Sequence, residues 1–164
     1  MTVIDELLDN NEAYAAAFDQ GDLPMPPGKH VAVVACMDAR LDVYPILGLA
    51  LGEAHVIRNA GGVVSDDAIR SLVISQRLLG TTEIILIHHT DCGMLTFRDD
   101  EVKDQIVSDV GLRPAFALEA FPDGVDDVRQ SIARLQASPF IAHKDSIRGF
   151  VFDVKTGRLD EVET

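Results

Sequence analysis

Basic residues are scarce in this chain: 14 lysines and arginines stand against 27 aspartates and glutamates, for a formal net charge of −13. Neutralising phosphates takes clustered cations, so a nucleic-acid or anionic-membrane surface is excluded and a small-molecule partner is expected. No apolar run approaches the roughly 20 residues of a membrane span. The opening stretch "MTVIDELLDNNEAYAAAFDQ" carries acids where a secretion signal needs positive charge. A cytoplasmic protein is therefore expected. There are two cysteines, Cys36 and Cys92. In a reducing compartment they read as ligands or reactive thiols, with a Cys36–Cys92 bridge left open by the spacing.

What the chain does have is a strand-and-helix alternation without internal repeats. Its 164 residues, 47% of them hydrophobic, suffice for one well-packed core, so residues 1–164 read as a single domain. Ile4, Leu7, Leu8, Tyr14 and Phe18 recur at roughly helical spacing, and "DLPMPPGK" then breaks the pattern with three prolines and a glycine. This predicts an N-terminal helical arm over 1–23 on a proline-rich tether over 24–29. "HVAVVAC" reads as a strand covered on both faces, because it is continuously apolar. "EAHVIRNAGG" and "EIILIHH" give two more strands. Ser65 is a good N-cap for a helix from Asp66 to Leu79, with Gly80 as its stop. "VDDVRQSIARLQ" reads as a later helix, "IRGFVFDVKTGRLDEVE" as a final strand with a turn at Thr156 and Gly157, and residues 109–122 as irregular. Repeated strand–helix units imply an α/β fold with a mostly parallel sheet and helices on both faces.

Ligand chemistry in such a sheet gathers beyond the carboxyl ends of the strands, where Cys36 and the segment His89 to Cys92 fall. Two thiolates and one imidazole converging there make a Cys2His set that leaves the fourth tetrahedral position of a zinc ion open, the mark of a catalytic site. His89 and Cys92 can share one ion only if the chain turns between them, and Gly93 would let that turn be tight. His88 should face the other way, since neighbouring strand residues alternate. In "ACMDARL", Asp38 and Arg40 follow Cys36 at alternate positions. A carboxylate beside an open zinc can accept a hydrogen bond from bound water or displace it, and a guanidinium can hold the carboxylate back by a two-pronged pair.

Cys-x-Asp-x-Arg in "CMDAR" followed by His-x-x-Cys in "HTDC" resembles the β-class carbonic anhydrases, and "RNAGG" and "HHTDCGM" resemble their short bacterial and archaeal branch. The likeness runs from His30 to Leu95. It implies that Cys36, His89 and Cys92 bind Zn2+, that Asp38 and Arg40 form a catalytic dyad beside it, and that Gly61 and Gly62 line the substrate pocket. It also implies a four-stranded parallel sheet with an added edge strand, assembled as a homodimer or larger homo-oligomer with the N-terminal helix across the partner subunit. The implied reaction is reversible hydration of carbon dioxide to bicarbonate and a proton by a zinc-bound hydroxide. Carbonyl sulfide or carbon disulfide hydrolysis at the same zinc is the alternative, and a non-enzymatic zinc-binding or thiol-redox protein is the more distant one. Many relatives with a regulatory bicarbonate pocket place a tryptophan in it, and this chain has none.

The remaining candidates have plainer readings. His88 and His55 read as satisfied core or edge histidines, and His143 as a solvated one. Ser65 near Gly61 and Gly62 reads as a helix cap, because Asp66 and Asp67 would repel an anion there.

Overall fold

The computed structural model describes residues 2–164; Met1, the first residue of the expected arm, lies outside the described residues. Helix α1 spans Val3–Ala17 and opens with a capping box: Thr2 Oγ1 accepts from the Asp5 amide, and Asp5 Oδ2 accepts from the Thr2 amide. None of its residues is buried, and Val3, Ile4, Leu7, Leu8 and Tyr14 are exposed. An apolar stripe with nothing against it is the main unpartnered feature of the fold.

From there the chain runs β1 (Val31–Cys36), α2 (Val43–Leu47), β2 (Ala54–Asn59), α3 (Asp66–Leu79), β3 (Glu83–His89), α4 (Asp99–Val110), α5 (Gly124–Ala137), β4 (Ile147–Phe152) and β5 (Leu159–Glu161). Single 3-10 turns follow β2 (Ala60–Gly62) and lead into the α4 region (Gly93–Leu95). The sheet order is β2-β1-β3-β4-β5, parallel throughout except for β5, which pairs antiparallel with β4. This is the expected four-stranded parallel sheet with an added edge strand. Parallel strands need long crossovers: α3 lies in the one from β2 to β3, which passes β1, and α5 in the one from β3 to its neighbour β4.

The core divides by strand alternation. Ala32, Val34, Ile84 and Leu86 face Leu72 of α3 and Val128, Ile132 and Leu135 of α5. Val33, Ala35 and Ile87 face Leu41, Val43 and the rest of the α2 segment on the other side. All six residues of β1 are buried, as a strand covered on both faces requires. Each fully buried leucine or isoleucine contributes about 1.5–3 kcal/mol relative to exposure.

Ser65 caps α3 as expected, its hydroxyl accepting from the Ala68 amide, and Gly80 stops the helix in the left-handed conformation. Two helices go beyond the sequence reading: α2, one turn long, and α4, which is polar and buries none of its residues. The irregular stretch begins only after α4, at Gly111, where a left-handed C-cap ends the helix. The C-terminal segment resolves into a hairpin, its turn held by Asp153 Oδ1 accepting from the Lys155 and Thr156 amides.

Candidate active site

Cys36 is the last residue of β1 and His89 the last of β3, and these strands are neighbours at the centre of the sheet. Cys92 follows three residues beyond His89. The ligand atoms of Cys36, His89 and Cys92 all lie within 4.8 Å of one another, and all three residues are buried. The two thiols are free, with their sulfurs 4.0 Å apart, far beyond the roughly 2.05 Å of a disulfide.

The turn that brings Cys92 back is made at Asp91, whose φ is 55°, while Gly93 has no positive φ. Aspartate tolerates the left-handed region better than most residues, so the tight turn needs no glycine here.

Three observations fit a bound zinc ion. Sulfurs on one tetrahedral zinc stand about 3.8 Å apart for bonds of about 2.3 Å, close to the separation seen. His89 is oriented by a hydrogen bond from Nδ1 to the Thr90 carbonyl, 2.8 Å, and its other nitrogen, Nε2, is buried with no partner. Such an orphaned nitrogen costs free energy unless something occupies it. The charges agree as well. The Cys36 thiol is pulled down, chiefly by its contact with Cys92, while the Cys92 thiol is pushed up, chiefly by Cys36. His89 is raised, chiefly by Cys36. These shifts favour negative charge on the paired sulfurs beside His89, and a divalent cation would compensate that charge.

Asp38 stands beside this cluster, its Oδ2 3.7 Å from His89 Nε2. Arg40 grips it two-pronged: Nε donates to Oδ1 at 2.9 Å and Nη2 to Oδ2 at 2.8 Å, and the Arg40 amide adds a third bond to Oδ1. That grip holds the Asp38 carboxyl well below the usual carboxylate range. The structure therefore brings Cys36, Asp38, Arg40, His89 and Cys92 to one place.

The two glycines have different positions. Gly61 lines the cavity, with φ 83°, and its backbone is one of the groups that pull the Cys36 thiol down. Gly62 is wedged beneath it: a Cβ there would fall 2.7 Å from the Cys36 amide nitrogen and 2.9 Å from the Ile87 carbonyl oxygen. The cavity, about 400 Å³, has an apolar wall of Met37, Ala60, Met94 and Phe97.

Two arginine contacts at the site have no local sequence motif. Arg58 of β2 donates Nε and Nη2 to the Cys36 carbonyl and Nη2 to the Asp38 carbonyl. Arg40 also reaches Asp91. The only sequence signals were a charged residue inside a strand and the unexplained second x of His-x-x-Cys.

The other histidines lie elsewhere. His88 turns to the opposite face, bonds Asp127 Oδ2 through Nε2 at 2.7 Å and lies on the ring of Phe121. His55 bonds Ser75 Oγ, and His143 is exposed.

Comparison with known proteins agrees with this geometry. The carbonic anhydrase family model matches residues 31–114. β-Carbonic anhydrase 1 of Mycobacterium tuberculosis is 64% identical over 162 residues, covering 99% of both chains. A carbon disulfide hydrolase of Acidianus is 34% identical, covering 95% of this chain and 87% of that one. The crystal structure of a carbonic anhydrase from Streptococcus mutans superposes with a TM-score of 0.93 at 46% identity, covering 99% of both chains. With the Cys2His cluster, the gripped carboxylate and this likeness along nearly its whole length, the chain belongs to the β-carbonic anhydrase family, lyases that hydrate carbon dioxide.

Proposed function

We propose that Cys36, His89 and Cys92 hold one zinc ion per chain and that the site hydrates carbon dioxide reversibly to bicarbonate and a proton. The observation that carries this reading is the buried, unpartnered Nε2 of His89 facing two free thiols within 4.8 Å. Zinc bound there supplies a Lewis acid that brings the pKa of a water toward about 7, so that a nucleophile is available at neutral pH.

The chain's own residues do the rest. His89 is fixed by the Thr90 carbonyl, which leaves the buried Nε2 unpartnered and able to hold the cation. The backbone at Gly61 favours the charged form of Cys36, and that at Met94 the charged form of Cys92. Asp38, kept ionised by Arg40, accepts a hydrogen bond from the attacking water and so aims its lone pair at the substrate. Met37, Ala60, Met94 and Phe97 offer carbon dioxide a surface that holds no competing hydrogen-bond donors from their side chains. Arg40 keeps Asp38 from turning to the cation, where a carboxylate would bind in place of water.

The same apolar wall suits other linear heteroallenes, and relatives named as carbon disulfide hydrolases are 33–36% identical to this chain. Hydrolysis of carbonyl sulfide or carbon disulfide is therefore the second reading.

The bare stripe of α1, on a tether over 24–29, supports a homodimer or larger homo-oligomer in which that stripe is covered. Two free thiols 4.0 Å apart are best kept in a reducing compartment, which supports a cytoplasmic setting. No helix among the described residues is long and apolar enough to cross a membrane.

The test measures zinc content and stopped-flow hydration of carbon dioxide together, on the wild type and on Cys92→Ala, with carbonyl sulfide run beside it. One zinc per chain, lost with activity in Cys92→Ala, is expected. Full zinc retention in that variant would sink the assignment.

A further inference from the structure

Neither metal binding nor the Asp38–Arg40 grip accounts for Asp91, which sits between two of the proposed ligands. Its left-handed backbone turns two acceptors onto one guanidinium. Arg40 Nη1 donates to Asp91 Oδ2 at 2.8 Å, and Nη2 donates to the Asp91 carbonyl at 3.0 Å. Arg40 meanwhile serves Asp38 through Nε and Nη2. A guanidinium carries five N–H groups, so both aspartates are satisfied at once and do not compete for hydrogens. Arg40 thus ties the loop after β1 to the loop after β3.

We propose that Asp91 is a positioning residue: it holds Arg40 in place, so that Asp38 stays paired with Arg40 and off the cation bound by Cys36, His89 and Cys92. This rests on the metal site proposed above.

Asp91 acts on Asp38 in two opposing ways. An arginine has many rotamers to lose, and Asp91 keeps it in one whether or not Asp38 is engaged, which favours the Asp38–Arg40 pair. Against this, the Asp91 charge offsets part of the arginine's and repels Asp38. The Asp91 side chain is 75% exposed, so water and salt weaken that second effect. The ordering effect therefore wins.

Two substitutions separate the effects. Asp91→Asn keeps the acceptor and the tolerance for a left-handed backbone while removing the charge. Asp91→Gly tolerates the same backbone conformation and removes the side-chain acceptor, leaving only the backbone carbonyl to Arg40.

The experiment loads the full-length protein with cobalt(II), whose thiolate-to-metal absorption bands report that the site is filled. Titration with azide then reads how freely the fourth position accepts an outside anion. Asp91→Gly should raise the azide Kd about two- to fivefold, the range for a surface ion pair. Asp91→Asn should stay near the wild-type value. In an Asp38→Ala background Asp91→Gly should change nothing, because the restrained carboxylate is gone. Unchanged or tighter azide binding in Asp91→Gly overturns the proposal. So does the same weakening in the Asp38→Ala background, which would assign it to general damage of the loop. Wild-type protein without thiolate–cobalt bands would overturn the metal-site reading itself, and this proposal with it.

Discussion

The guanidinium of Arg58 reaches across from β2 and donates two hydrogen bonds, 3.0 and 2.8 Å long, to the backbone carbonyl of Cys36. A third, 2.7 Å, goes to the carbonyl of Asp38. One side chain thereby fixes the end of the strand that carries a proposed ligand and the dyad carboxylate.

Removing that clamp should loosen the metal site without touching a ligand. Outer partners of metal ligands are typically worth about 10–100-fold in metal affinity. Arg58→Met should weaken zinc binding by about tenfold, measured by competition with a chromogenic chelator. Wild-type affinity in that variant would mean that the sheet alone holds the strand end.

Arg40→Ala should keep zinc and lose most of the hydration activity, because Asp38 is then free to take the fourth position. The pH dependence follows from the sign of the Asp38 shift. Its folded pKa is depressed, chiefly by Arg40, so the grip contributes fully above the ordinary carboxylate pKa of about 3.9. It is lost only as pH falls through the lower folded value. Across roughly pH 6 to 9, bracketing a zinc-water pKa of about 7, Asp38 stays ionised in the wild type and activity should rise with pH. Zinc content and hydration rate measured together on Arg40→Ala test this, and normal values of both throughout would make the pair structural only.

The carboxylate of Asp99 accepts from the amides of Leu118, Glu119 and Ala120 at 2.8, 3.2 and 2.9 Å, pinning the loop that leads to Phe121. Burial by itself would raise the Asp99 pKa, but these amides reverse it and the net shift is downward. Its stabilising contribution is therefore present above about pH 4 and fades as pH falls below that. Asp99→Ala should cost about 1–3 kcal/mol, lowering Tm by a few degrees at neutral pH. Melting curves at pH 7 and near pH 3 should show the gap between variant and wild type narrowing in acid; a constant gap would count against this account.

Removing the residues before Pro24 should weaken self-association, because α1 buries none of its residues in its own chain. Light scattering on intact and truncated protein at micromolar concentration checks this. A stable monomer in the intact chain would end the idea that the arm needs a partner.

Strands β1 and β3 were legible because a continuous apolar run in an α/β chain has few other places to go, and α3 because Ser65 and Gly80 mark its two ends. The polar helix α4 was not: its pattern "DDEVKDQIVSDV" has no strong apolar face, and in the structure it buries no residue. The Cys2His cluster was legible through its spacing on neighbouring strand ends. Glycine's usual preference puts the turn inside it on Gly93, whereas Asp91 takes the left-handed conformation. The contacts of Arg58 and Asp91 depend on how β2 and the loop after β3 lie against β1, which is a tertiary fact that no local pattern carries.

The close seat of Gly62, whose missing Cβ would collide with the backbone of both β1 and β3, has a practical consequence for protein engineering. No library should vary this position, since any side chain would push apart the two strands that carry Cys36 and His89. The freedom to reshape the cavity lies instead in Met37, Met94 and Phe97, whose side chains line it. Variants selected for bulkier sulfur-containing substrates should carry their changes there and keep the glycine.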